Sequence, residues 1–259
     1  MSIETTFANL LNRIPRLEPG HVWLAGAGPG DPALLTVEAV SALHQADALV
    51  HDALVSEEIV MLADKAEKFF VGKRGGRLSI PQADINALLV RLAKDGRKVM
   101  RLKGGHPFVF ARGGEEALAL VEHGIPYRVL PGVTSAFGGL TSAGIPATMR
   151  GVNGAIILAT GFAAVSDDRP DWTALARTGQ PIVIYMGLTH MASTVADLME
   201  GGLAAATPAA LIENATLPQE RTVIATLDTL VEAARRENIV SPALIVIGGI
   251  VALREKLRS

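Results

Sequence analysis

Between His21 and about Leu130 the chain alternates short runs of branched and aromatic residues with longer runs whose apolar side chains return every three or four positions. The first pattern predicts strands and the second helices. VWLAGAG (Val22 to Gly28) reads as a buried strand, and PALLTVEAVSALHQA (Pro32 to Ala46) as a helix with proline in its first turn. The strand ALVHDAL, the short helix EEIVMLA and the strand KFFVGK follow. PQADINALLVRLAKDG sets Ile85, Leu88, Leu89 and Leu92 on one face, with Gly96 where a C-terminal cap belongs. A strand carrying Val99, Met100 and Leu102 comes next, then a helix from Glu115 to about His123 closed by Gly124, then the strand YRVLPG. Such alternation argues for an α/β domain with helices covering a mostly parallel sheet.

Between Pro131 and Pro146 the pattern gives way to small residues, PGVTSAFGGLTSAGIP, and a domain junction is placed there. Beyond it AIILATG, PIVIYMG, AALIEN, RTVIATL and ALIVIGG predict five strands, with helices near Trp172 to Arg177, Met191 to Glu200 and Leu227 to Glu237. AALIEN and RTVIATL are joined by only a few residues, so a hairpin there would make this second sheet mixed. Ahead of the first strand, Phe7, Leu10, Leu11 and Ile14 share one helical face and Pro15 ends it, which predicts an amphipathic arm that docks on the body or on a second subunit. The division is therefore an arm (1–20), an N-terminal α/β domain (21–133) and a C-terminal α/β domain (134–259).

Composition narrows the chemistry. An apolar fraction of 49% over 259 residues fills a sizeable core. Twenty-four basic residues against 26 acidic ones, with no basic run, argue against a nucleic-acid partner. The chain has no cysteine, and its six histidines include no pair at the one-turn spacing of a helical metal site, so no metal is expected. The N-terminus does not read as a signal peptide, and no apolar stretch reaches the roughly 18 residues that span a bilayer, so no membrane partner is expected and the protein is expected to be cytoplasmic.

The stretch most dense in chemistry is RLKGGHPFVFARGGEE, Arg101 to Glu116. Two glycine pairs flank an arginine-bearing loop, more than a strand-to-helix turn requires, because glycine pairs let backbone approach a ligand. The plainer reading is a tight connection with Glu115 and Glu116 complementing a helix N-terminus. Gly26-Ala27-Gly28-Pro29-Gly30-Asp31 invites a dinucleotide reading, but only Pro29 separates its second and third glycines, and proline donates no backbone N–H to a phosphate. Nor does an acidic residue cleanly end the second strand about 20 residues later, unless Asp52 serves.

Taken in order, GAGPGDPALLTVEAV, GKRGG, RLKGGHPFVFARGGEEA, LPGVTSA, IPATMRG and IVIYMG resemble the tetrapyrrole methylase family, from about His21 onward. Within it the likeness is nearest to the methylases of uroporphyrinogen III. The resemblance implies two α/β domains with the active cleft between them, the GxGPGD loop on the substrate side and the C-terminal domain on the donor side. It implies a homodimer that uses S-adenosylmethionine, releases S-adenosylhomocysteine, and methylates uroporphyrinogen III at two pyrrole carbons, giving precorrin-2 by way of precorrin-1. Carried across residue by residue, the donor site falls on Pro29, Gly104, Gly105, His106, Val109, Thr134, Ser135, Met186, Ala215 and Ala243. The acceptor site falls on Gly28, Asp52, Lys73, Arg74 and Arg150, and the catalytic pair on Arg112 and Glu115. The acceptor is a macrocycle with eight carboxylates, and guanidinium forks match carboxylates in bidentate geometry.

Two positions depart from the family's pattern. His106 stands where GGDPFVF has aspartate, and Met149 where THR has histidine. They leave open a methylase of the same family acting on a later precorrin, and a protein that binds tetrapyrrole or donor with little turnover.

Overall fold

The computed structural model describes residues 2–72, 80–162 and 169–257. It divides into two compact units, Met1–Thr134 and Ser135–Ser259.

The first unit is built on β1 (Val22–Gly26), β2 (Ala48–His51), β3 (Glu67–Phe70), β4 (Val99–Lys103) and β5 (Tyr127–Leu130). They form one sheet in the order β3-β2-β4-β1-β5, all pairs parallel. Parallel neighbours need a crossover on a sheet face, which is why the central strands are buried throughout. Side-chain alternation sorts them into two cores. Trp23, Ala25, Leu49, Met100 and Leu102 pack with α2 (Val37–Gln45) and α3 (Glu57–Met61). Val22, Leu24, Ala48, Val50 and Val99 pack with α4 (Gln82–Lys94) and α5 (Gly113–Glu122).

Some boundaries differ from the sequence pattern. The first helix splits into a 3-10 turn over Pro32–Leu34 and α2, because Leu35 and Thr36 are extended and the Thr36 hydroxyl caps α2 by accepting the Ala39 N–H. β1 stops at Gly26 and β2 at His51, short of the runs that predict them, which frees their last residues as loops. In the arm, α1 (Ile3–Leu11) buries none of its residues. The chain docks further on, at fully buried Leu17, whose N–H donates to Gln45 Oε1 at 2.9 Å.

In the second unit β6 (Ile157–Thr160), β7 (Ile182–Tyr185), β8 (Pro208–Glu213), β9 (Arg221–Thr226) and β10 (Ala243–Ile247) pair in the order β6-β7-β10-β8-β9. Only β6 and β7 are parallel; β8 and β9 form the expected hairpin, so the sheet is mixed. One face packs on α7 (Trp172–Arg177), α8 (Met191–Glu200) and α9 (Leu230–Arg236). The other face packs on α6 (Ser135–Ser142), a helix that the small-residue stretch did not announce. Gly139 explains it: a Cβ there would stand 2.9 Å from Leu244 Cδ1 and 3.0 Å from Ala215 Cβ, so small residues bring the helix axis close to the strands. A 3-10 turn (Gly249–Ala252) and α10 (Leu253–Leu257) follow β10 and were equally unannounced.

Candidate functional site

The C-terminal ends of β1, β4 and β5 meet through glycines. Ala27 N–H donates to the Lys103 carbonyl at 2.7 Å, and Gly28 and Gly105 exchange both backbone hydrogen bonds, at 3.2 and 2.6 Å. A Cβ on Gly26 would stand 2.5 Å from the Gly105 oxygen and 2.7 Å from Gly132 Cα. The glycines thus let three loops interlock, with Pro29 just beyond the contact. Gly105's own N–H and C=O are committed to Gly28.

The chain then makes a compact loop. His106 O accepts the Val109 N–H at 3.1 Å, His106 Nδ1 accepts the Phe108 N–H at 3.0 Å, and Pro107 O accepts the Gly113 N–H at 3.1 Å. Phe110 (φ 51°) and Arg112 (φ 60°) are both left-handed, a conformation that costs a non-glycine residue about 1–2 kcal/mol. Phe108 and Phe110 are exposed. The Arg112 guanidinium leaves this loop to grip Glu115, Nε to Oε1 at 2.8 Å and Nη2 to Oε2 at 2.6 Å. That pairing raises the arginine's pKa and holds the Glu115 carboxyl below its usual range. Both side chains are more than half exposed.

A second charged group lies beneath the loop, and sequence reasoning missed most of it. Arg101, Lys103 and Glu116 are buried to 2% exposure or less. Glu116 Oε1 accepts from Arg101 Nε at 3.0 Å, Lys103 Nζ at 2.9 Å and Gln82 Nε2 at 3.2 Å. Arg101 reaches on to Asp52 with Nη1–Oδ1 at 3.3 Å and Nη2–Oδ2 at 3.1 Å. Burial, followed by the neighbouring Arg101 charge, holds the Lys103 ammonium below the usual lysine range. Glu116 does not complement the helix terminus in solvent, as the plainer reading expects; it neutralises two cations inside the fold. A signal existed: Arg101 and Lys103 are two basic residues at period two in an otherwise apolar strand, hence on one face. Asp52, after β2, is the partly exposed member, at 28% of its side chain.

In the second unit Ser135, Met186, Ala215 and Ala243 come to one end of the sheet. Ile245 opposes Ile184 in the antiparallel β10–β7 pair, so the register brings Ala243 toward Met186, and Ala243 opposes Glu213 on the other side. Ala215 touches this end from the β8–β9 turn through Gly139. Ser135 opens α6, where the Ala136 N–H donates to the Tyr185 hydroxyl at 3.3 Å. Met186 is left-handed (φ 53°) and half exposed. Thr134 is buried at the end of the first unit.

Arg150 is exposed on a turn in which Asn153 Oδ1 accepts the Met149 N–H at 3.0 Å. Lys73 and Arg74 lie outside the described residues. Among the described residues no group of three or more His, Cys, Asp or Glu side chains could hold a metal, and no helix is long and apolar enough to cross a membrane.

The profile of the tetrapyrrole (corrin/porphyrin) methylases matches residues 21–231. A uroporphyrinogen-III C-methyltransferase of Sinorhizobium sp is 46% identical over 258 residues, covering 98% of this chain and 91% of that protein. The siroheme synthase of Thiobacillus denitrificans is 46% identical over 92% of this chain, which spans half of that longer protein. Among solved structures, uroporphyrin-III C-methyl transferase from Thermus thermophilus complexed with S-adenyl homocysteine is 38% identical with a TM-score of 0.77, covering 90% of this chain and 99% of that one. A family profile over most of the sequence and a 46% identical relative over nearly all of it establish that the chain belongs to the tetrapyrrole (corrin/porphyrin) methylases.

Proposed function

We propose that this chain is a cytoplasmic homodimer that transfers methyl groups from S-adenosylmethionine to two pyrrole carbons of uroporphyrinogen III, giving precorrin-2 by way of precorrin-1. The observation that carries the reading is the near full-length likeness to a uroporphyrinogen-III C-methyltransferase, with a second relative in complex with S-adenyl homocysteine. In this reading 21–133 form the substrate-side domain and 134–259 the donor-side domain.

The residues present suit such a methyl donor. Ser135, Met186, Ala215 and Ala243 offer small or thioether surfaces without charge, and the chain has no cysteine to compete for a sulfonium methyl. When bound, the donor supplies an electrophilic methyl group. Pro29, Gly104, Gly105, His106, Val109 and Thr134 are the further contacts. Because Gly105's polar backbone groups are committed to Gly28, its contribution is close approach, not hydrogen bonding.

The protein's main task is to hold a pyrrole carbon and the methyl in line, and positioning of that kind supplies roughly 7–11 kcal/mol of a barrier. Arg112 is kept protonated by Glu115, so it clamps a substrate carboxylate and does not act as a base. Gly28 and Arg150, with Lys73 and Arg74, complete the acceptor contacts. In this reading a proton is then lost from the framework next to the methylated ring, and Asp52, partly exposed and held in orientation by Arg101, belongs to the acceptor site.

Mass spectrometry after incubation of the purified protein with uroporphyrinogen III and S-adenosylmethionine tests the reading. A gain of two methyl groups is expected. Donor binding without methylation would move the substrate to a later precorrin, and loss of both would leave a non-catalytic protein.

A further inference from the structure

Position 106 separates this chain from the family pattern, and its geometry shows what the histidine does. Nδ1 accepts the Phe108 N–H at 3.0 Å. An imidazole nitrogen that accepts is unprotonated, so the neutral ring carries its proton on Nε2. The side chain closes a turn onto the amide two residues ahead, as an aspartate or asparagine does in an Asx turn. This turn opens the loop that the Val109-to-His106 and Gly113-to-Pro107 bonds complete. Phe108 lies against the ring at a centroid distance of 6.5 Å, and among the described residues His106 makes no salt bridge.

We infer that His106 is a positioning residue that caps the methyl-donor loop through Nδ1 and presents an uncharged N–H at Nε2 where a carboxylate would present negative charge. The inference rests on the proposed function, in which residues 104–109 contact the donor. It has two consequences. Any side chain with an acceptor in the Nδ1 position preserves the loop, and Asn Oδ1 occupies that position because it too is bonded to Cγ. A neutral ring at 106 also contributes no Coulombic preference of its own for a cationic sulfonium over the neutral thioether product, a preference that aspartate there would add.

Titration calorimetry of the full chain with S-adenosylmethionine and with S-adenosylhomocysteine tests both consequences. His106→Ala should weaken both ligands by about tenfold, as loss of one loop-fixing hydrogen bond predicts. His106→Asn should rescue both to within about twofold of the unsubstituted protein. His106→Asp should raise the ratio of methyl-donor to product affinity by about threefold or more. Nitrogen-15 spectra of the unsubstituted protein at neutral pH should show Nε2 protonated and Nδ1 bare, a readout that needs no variant to fold. An asparagine variant as weak as alanine, or a proton on Nδ1, would overturn the capping role. An unchanged affinity ratio in His106→Asp would overturn the charge argument. If the unsubstituted protein binds neither ligand, the proposed function and this inference fall together. If it binds and methylates while His106→Ala binds undiminished, only this inference falls.

Discussion

Glu115 and Glu116 are neighbours in sequence with opposite environments. Glu115 faces solvent at 52% exposure and holds one arginine from its own loop. Glu116, one residue on, is wholly buried and holds Arg101, Lys103 and Gln82 from other elements. Successive helix positions point about 100° apart, so α5 sends one carboxylate to the loop and the next to the sheet. An exposed pair gains little, because water already solvates both charges. A buried cluster is unforgiving, because removing one member strands the others without solvent. The exposed pair therefore stays open to solvent, while the buried cluster fixes the strand ends and the orientation of Asp52.

The largest expected effect is at the buried residue. Glu116→Leu leaves Arg101 and Lys103 with only Asp52 and should cost about 3–5 kcal/mol in urea unfolding. A loss below about 1 kcal/mol would mean that the cluster does not bear on stability. Arg112→Ala reverses the balance: methyl transfer should be abolished and methyl-donor binding nearly unchanged, with a stability change under about 1 kcal/mol. Turnover at the unsubstituted rate would remove Arg112 from the reaction. The smallest effect is at Glu115. Its carboxyl is held below the usual range, so the pair's contribution is full above the ordinary glutamate pKa of about 4.3 and is lost as pH falls through the lowered value in the folded protein. Glu115→Gln should therefore lower stability by less than about 1 kcal/mol near neutral pH, and the gap should close toward about pH 3. A gap constant across that range would exclude the ion pair as its source.

Much of the fold was legible in the chain. Short runs of branched and aromatic residues alternating with helical patterns, the apolar face of α4 and the short link between β8 and β9 were enough to place a parallel sheet followed by a mixed one. The break at Thr36 was missed because its capping role depends on a local turn that helical periodicity passes over. Helix α6 was missed because small residues give no amphipathic signal; they are there for the close approach seen at Gly139. In the candidate site, the Arg112 and Glu115 motif was visible, and the partners of Glu116 were not.

The sequence by itself determined the family, the order of the strands and which residue types stand in the motif loops, because these follow from local pattern along one dimension. Only the tertiary structure decided that Gly26, Gly105 and Gly132 interlock, that Arg101 and Asp52, separated by 49 positions, share a salt bridge, and that the His106 ring faces the Phe108 amide. The physical reason is that burial and hydrogen-bond direction depend on what the remainder of the chain brings to a residue. Glu115 and Glu116 are chemically identical until the sheet lies against one of them.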